Sequence, residues 1–260
     1  MRRALALTIA YKGTAYHGFQ VQANAQSVAA VLQDALEAVL GRREEIKGCS
    51  RTDAGVHALA YCVSLSTDSA IPAARLPLAL NAHLPADVRV LAAREVPPDF
   101  HARYSCRGKV YCYRVHNAPC DSPFTADLCW RVWPRLALEP MQRAAALLCG
   151  RHDFASFMSA GSTIAAEGGS TVRTVRAFAV RRQGSDLLFT IEADGYLYNM
   201  VRILVGTLVE IGAGRLPESA LPEILAARDR TRAGPTAPAR GLALAAVLYD
   251  EFVIGEEGEP

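Results

Sequence analysis

Apolar residues recur at two different periods along this chain, and the two periods alternate. Val28, Val31, Leu32, Ala35, Leu36, Val39 and Leu40 stand at i, i+3, i+4, i+7, i+8, i+11 and i+12. That spacing puts them on one face of a helix, with Ser27 placed to cap its first turn. A strand is expected over Ala4–Tyr11. Leu59, Tyr61, Val63 and Leu65 alternate with smaller residues and read as a half-buried strand, and Val88–Arg94 as another. Pro72 suits the first turn of a second helix that ends near Asn81. The second half repeats the theme. Lys109, Tyr111, Tyr113 and Val115 alternate along a strand, and Pro140 opens a helix that stops at Gly150. Thr171–Arg182 and Leu187–Ile191 read as strands paired around the turn Gln183-Gly184-Ser185. A Leu197–Ile211 helix, a short helix after Pro217 and a strand over Leu242–Tyr249 complete the chain.

Interspersed strands and helices, with several strands joined by hairpin-length turns, predict an α+β fold. We expect two domains, residues 1–105 and 106–260, with the break near residues 100–108. Each should carry a largely antiparallel mixed sheet with helices on one face. The length of 260 residues and the 51% hydrophobic composition suit this, because such a chain can bury a core without staples. Ala160–Thr171, rich in Ser, Gly and Ala, reads as a surface loop.

Composition also narrows the function classes. The most apolar stretch, Gly195–Ala213, carries Arg202 and Glu210 and reads as a buried helix rather than a membrane span. Met1–Tyr11 has a basic start, but its apolar run is short and leads into Lys12-Gly13, so no secretory leader is expected. The seven cysteines form no Cys-x-x-Cys pair, and no His-x-x-x-His occurs. Reduced thiols in a cytoplasmic protein are the simple reading, without a metal site. The net charge is only +2, but acidic residues are missing between Asp99 and Asp121 and between Glu167 and Asp186. Arg103, Arg107, Lys109 and Arg114 fall in the first gap, and Arg173, Arg176, Arg181 and Arg182 in the second. Either these segments form a positive face for a polyanion, or they are solvated strands.

Three places carry chemistry. The loop Arg51-Thr52-Asp53-Ala54-Gly55-Val56-His57-Ala58 contains a tight Asp-Ala-Gly turn. Asp53 there is either a turn-forming side chain or a reacting carboxylate tuned by Arg51. The loop has no second carboxylate and no Ser, His and Cys grouping, as a glycosidase or metal-dependent site would need. Arg202 is the one charge between Asp194 and Glu210 on an apolar helix. Either it meets a carboxylate, with Asp53 the expected partner, or it snorkels to the surface. Lys109-Val110-Tyr111-Cys112-Tyr113-Arg114 interleaves aromatic and basic residues. This suits base stacking with phosphate contact, or two tyrosines packed in a core with wet hydroxyls, the latter favoured for Tyr113.

Together these segments resemble the tRNA pseudouridine synthase A, or TruA, family. Arg51–Ala58 resembles its catalytic loop, Lys109–Tyr113 its tyrosine motif, and Asn199-Met200-Val201-Arg202 with Leu204-Val205-Gly206 its third motif. Tyr11–Gln20 resembles the N-terminal signature, and Asp99–Arg103 and Asp153–Phe157 fit as well. The chain departs from the family at Phe19 and Val21, where Trp and Arg are usual, at Ser50, where Gly is usual, and at Val110 and Cys112, where Arg is frequent.

The resemblance implies a pseudouridine synthase fold with its catalytic cleft between the two domains. It implies isomerisation of uridine to pseudouridine at positions 38, 39 and 40 of the tRNA anticodon stem-loop. Asp53 is then the catalytic nucleophile, and Tyr111, Arg51 and Arg202 bind substrate. No cofactor or metal is implied, and the partners are tRNA and a second copy of the chain in a homodimer. A non-catalytic RNA-binding protein on the same scaffold would bind without product. A carboxylate-dependent nucleoside hydrolase would release free base.

Overall fold

A computed structural model describes residues 2–133, 135–162 and 168–255. In chain order the elements begin with β1 (Arg3–Tyr11), α1 (Val28–Leu40), β2 (Ile46–Gly48), β3 (His57–Thr67), α2 (Leu76–Asn81) and β4 (Val88–Val96). They continue with β5 (Gly108–His116), β6 (Trp130–Arg131), α3 (Leu138–Leu147), β7 (Gly150–Asp153), β8 (Val172–Gln183) and β9 (Asp186–Ala193). The last are α4 (Met200–Gly212), α5 (Leu221–Ala227), β10 (Leu242–Leu248) and β11 (Val253–Ile254). The chain divides into two compact units, Met1–Arg107 with Ala243–Pro260, and Gly108–Leu242.

In the first unit the sheet runs β4-β1-β3-β10, with β2 added on β3 and β11 on β10. β1 pairs antiparallel with β3, placing Leu5, Leu7 and Ile9 opposite Leu65, Val63 and Tyr61 on one face. β10 pairs parallel with β3, Ala243 opposite His57 and Leu244 opposite Ala58. Periodicity alone leaves this tail with the second half; a parallel partner nearly two hundred residues away gives no local signal. The helix α1 matches its expected span. Ser27 Oγ accepts from the Ala30 N–H at 3.3 Å, and Gly41, at φ 76°, closes the other end. α2 is tied to β4 through Asn81, whose amide donates to the Val90 carbonyl and accepts from the Val90 N–H.

β3 is more enclosed than a half-buried strand. Tyr61, Val63 and Leu65 are buried on one face, and Ala60, Cys62 and Ser64 on the other. The second face is covered because Ser64 Oγ accepts the Ala102 N–H at 3.1 Å, and Tyr249 donates its hydroxyl to the Ala102 carbonyl at 2.7 Å.

The second unit holds an antiparallel sheet in the order β5-β9-β8-β7, with β6 parallel to β5. α3 packs on β8 and against α4, and α4 also touches β5. α3 starts at Leu138, so Pro140 sits inside its first turn, where a missing N–H costs no intrahelical bond. α4 starts at Met200 rather than Leu197, because Asn199 adopts a left-handed φ of 60° and breaks the helical run there. Short strands such as β2, β6, β7 and β11 escape periodicity because two to four residues do not establish a period. Of the expected Ala160–Thr171 loop, residues 163–167 lie outside those described.

Candidate active site

In the first unit, β2 leads into the loop that carries Asp53. Asp53 occupies the first position of a β-turn closed by Val56 N–H donating to the Asp53 carbonyl at 3.2 Å. Gly55 takes φ 78° at the third position, as a type II turn demands. Arg51 is exposed, Thr52 buried, and Asp53 half-buried. The turn therefore presents the carboxylate at the edge of solvent, on a backbone fixed from below.

The residues that fix it come from the segment after β1. A Cβ on Gly13 would stand 2.0 Å from the Val56 carbonyl oxygen, and one on Gly18 would stand 2.3 Å from that of Thr52. Both approaches are possible only without a side chain, and Gly18 also takes φ 87°. The Gly55 N–H donates to the Tyr16 carbonyl at 3.1 Å, and the Gly13 N–H to His57 Nδ1 at 2.9 Å. The latter bond leaves His57 Nδ1 unprotonated, so this buried imidazole clasps the turn rather than donating from that nitrogen. Tyr11 and Thr52 share a buried hydroxyl–hydroxyl bond at 2.8 Å. Upstream, Tyr61 donates its hydroxyl to the Ser50 carbonyl, and Phe19 stacks on the Tyr61 ring with centroids 4.3 Å apart. Phe19 thus makes the aromatic wall of this cradle. Tyr16 donates its hydroxyl to Asp87 at 2.8 Å, and burial, reinforced by that carboxylate, raises its pKa above the ordinary phenol value.

Tyr111 and Arg202 belong to the second unit. Tyr111 lies on β5 opposite Ile191 of β9 and is buried. Its ring meets Tyr196 edge-to-face, centroids 4.9 Å apart at 86°. The Tyr196 hydroxyl lies 2.9 Å from the carbonyl oxygens of both Lys109 and Ile191, its proton shared between them. Burial, with Tyr111 next in effect, keeps that phenol protonated. Tyr113 is a core residue. Its ring packs against Gly241 and its hydroxyl donates to the Pro238 carbonyl at 2.7 Å.

Arg202, in the first turn of α4, is half-buried. Its Nε donates to the Ala237 carbonyl at 2.7 Å and its Nη1 to Asn199 Oδ1 at 2.6 Å. Asn199 in turn donates to Ser159 Oγ at 2.9 Å. Neutral acceptors within its own unit therefore meet part of this guanidinium's hydrogen-bonding need. A strap over residues 234–238 holds the arrangement. The Gly234 N–H donates to Thr207 Oγ1, and a Cβ on Gly206 would stand 1.8 Å from the Pro235 carbonyl oxygen. Gly206→Ala should therefore destabilise the protein by about 1–3 kcal/mol in denaturant unfolding, although Ala is the better helix former. A neutral or stabilising result would contradict the close approach.

Sequence reasoning missed Tyr196 and the strap, and it named Asn199 only as part of the third motif, without its role in holding Arg202. The only signals were an aromatic beside Gly195 and the Gly234-Pro235 and Pro238 punctuation. The two basic segments, left open between a positive face and solvated strands, are partly neutralised by carboxylates from elsewhere in the chain. Arg114 is bonded to Asp186 of β9, Arg176 to Glu192 of β9 at 3.2 Å, and Arg107 to Asp250 at 2.7 Å. A gap free of acids along the chain is filled across strands, so these segments are not a bare positive face. Among the described residues, no three His, Cys, Asp or Glu side chains gather as a metal would require, and no helix is long and apolar enough to cross a membrane.

Comparison with known proteins adds the chemical context. A family model described as tRNA pseudouridine synthase matches residues 7–105 and 144–250. The chain is 47% identical over 247 residues to the tRNA pseudouridine synthase A of Moorella thermoacetica, covering 94% of this chain and 99% of that protein. It is 43% identical over 247 residues to the tRNA pseudouridine synthase A of Thermoanaerobacter sp. (strain X514), covering 95% of this chain and 100% of that one. The Myxococcus xanthus protein of the same name is 44% identical over 246 residues, covering 94% and 91%.

Proposed function

The chain belongs to the tRNA pseudouridine synthase family, and from that premise we propose that it converts uridine to pseudouridine at positions 38, 39 and 40 of the tRNA anticodon stem-loop. It is an isomerase with the mixed α+β fold of pseudouridine synthases. The reaction breaks the N1–C1′ bond and joins C5 to C1′; C5 loses a proton and N1 gains one, so nothing is consumed. Asp53 is the nucleophile, a role that requires its ionised form. Attack at C1′, attack at C6 and abstraction of the C2′ proton all begin from that carboxylate.

A uridine in a stem hides its glycosidic bond and must leave the stack, at a cost of a few kcal/mol. Arg51, exposed beside Asp53, holds the RNA in the flipped geometry. Tyr111 stacks on the flipped base, with Tyr196 bracing it, and Arg202 contacts the substrate. The enzyme works as a homodimer in the cytoplasm, as the resemblance implies, with neither metal nor cofactor.

The observation that carries this reading is the cradle around Asp53, where two glycines, a buried histidine and two tyrosine contacts fix the backbone of the turn that carries one half-buried carboxylate. A tightly positioned reacting group is what catalysis by orientation needs. Incubation with unmodified tRNA, followed by carbodiimide-dependent primer extension across the anticodon arm, should show stops one nucleotide 3′ of positions 38–40. Free uracil would indicate a hydrolase instead. Binding with no change in the RNA would indicate a non-catalytic protein, and either result would sink the proposal.

A further inference from the structure

A second aromatic feature of the first unit is not used by this chemistry. Tyr104 is a large side chain left 75% exposed. Its ring leans on His101, centroids 4.3 Å apart at 40°, and the Arg103 guanidinium carbon stands 5.7 Å from its centroid. The turn that carries it is built rather than loose. The Ser105 N–H donates to the His101 carbonyl at 2.9 Å, and the His101 N–H to Ser105 Oγ at 3.1 Å. His101 Nδ1 accepts from the N–H groups of Arg103 and Tyr104 at 3.1 and 3.4 Å. The Ala102 backbone between them is buried against Ser64 and Tyr249.

That anchoring also locates the turn. Ser64 of β3 lies directly opposite Lys47 of β2, so the Lys47 side chain shares the face on which the turn sits. His101 feels it: burial first, then the charge of Lys47, lowers the imidazole pKa. β2 continues into the catalytic loop, and six residues of chain from Lys47 to Asp53 reach at most about 20 Å. An exposed ring with a rigid backing and a guanidinium beside it, and an ammonium near that backing, is the arrangement that binds a base by its face and a phosphate by charge. The carboxylate of Glu45 is the acidic neighbour, and it leaves the balance of Arg103 and Lys47 positive.

We propose that Tyr104, backed by His101 and flanked by Arg103, with Lys47 near its His101 backing, is a stacking platform for an unpaired nucleotide of the tRNA whose uridine is held at the Asp53 loop. The inference rests on the function proposed above. The platform grips a nucleotide away from the reacting one, so it acts on tRNA capture and not on bond rearrangement.

The test uses the full-length enzyme and unmodified tRNA transcript. Tyr104→Ala should raise Kd and KM for tRNA by about 5- to 100-fold, with the loss absent from kcat at saturating tRNA. Tyr104→Trp should restore binding, since any flat ring serves. Arg103→Ala should weaken binding and lower the slope of log Kd against log salt by about one, whereas Tyr104→Ala should leave that slope in place. Wild-type Kd for tRNA in Tyr104→Ala, or a loss confined to kcat, would overturn the platform. So would a changed oligomeric state with RNA affinity intact, which would assign the ring to a protein contact. Wild-type enzyme that yields no pseudouridine in the same assay would instead overturn the proposed function, so the two failures are separable.

Discussion

Asp53→Asn should abolish pseudouridine formation while the protein still folds and still binds tRNA. Asn has the same shape as Asp and suits the first position of a β-turn equally well, so the turn closed by Val56 should persist. The change removes only the ability to ionise. Loss of a nucleophile that acts in concert with its surroundings lowers turnover by about 10⁴-fold or more. Single-turnover kinetics with excess enzyme would read the chemical step, and filter binding would read affinity. Turnover within about tenfold of wild type would remove Asp53 from the nucleophile's role.

Gly13→Ala is the second change with a large expected effect, and it touches no reacting atom. Nothing about the Gly13 conformation forbids alanine; the obstruction is spatial. The added methyl would stand 2.0 Å from the Val56 carbonyl oxygen and 2.7 Å from its carbon, both backbone atoms of the turn that presents Asp53. The turn or the 13–18 segment must move. Misplacing a catalytic group by about 1 Å can cost about 100-fold in rate. The expected result is a fall in kcat of that order with a modest rise in KM, and a stability loss of about 1–3 kcal/mol by denaturant unfolding. Wild-type kcat in a folded Gly13→Ala protein would show that the cradle does not position the carboxylate.

Much of the fold is legible in the amino-acid order, and the reason is local. α1 shows its face, its Ser27 cap and its end at Gly41 within one short segment. The β8–β9 hairpin is visible because its turn and both strands are adjacent. The candidate site is legible as separate pieces for the same reason. Asp53 with Arg51, Tyr111 on its strand and Arg202 on its helix each stand out within a few residues of chain. The departures at Phe19 and Val21 are visible too, but not that Phe19 walls the cradle by stacking on Tyr61.

Sequence by itself determined the elements with a full period, the α+β class and the segments that carry chemistry, because each is written in neighbouring residues. Only the tertiary structure decided what those segments touch. It returned the tail to β3 as a parallel strand and supplied Asp186 and Glu192 to arginines whose own segments lack acids. It also set Gly13 and Gly18 against the backbone of the Asp53 loop, some forty residues further along the chain. Such contacts depend on which surfaces meet after the chain folds back, and no periodicity encodes a partner at that distance.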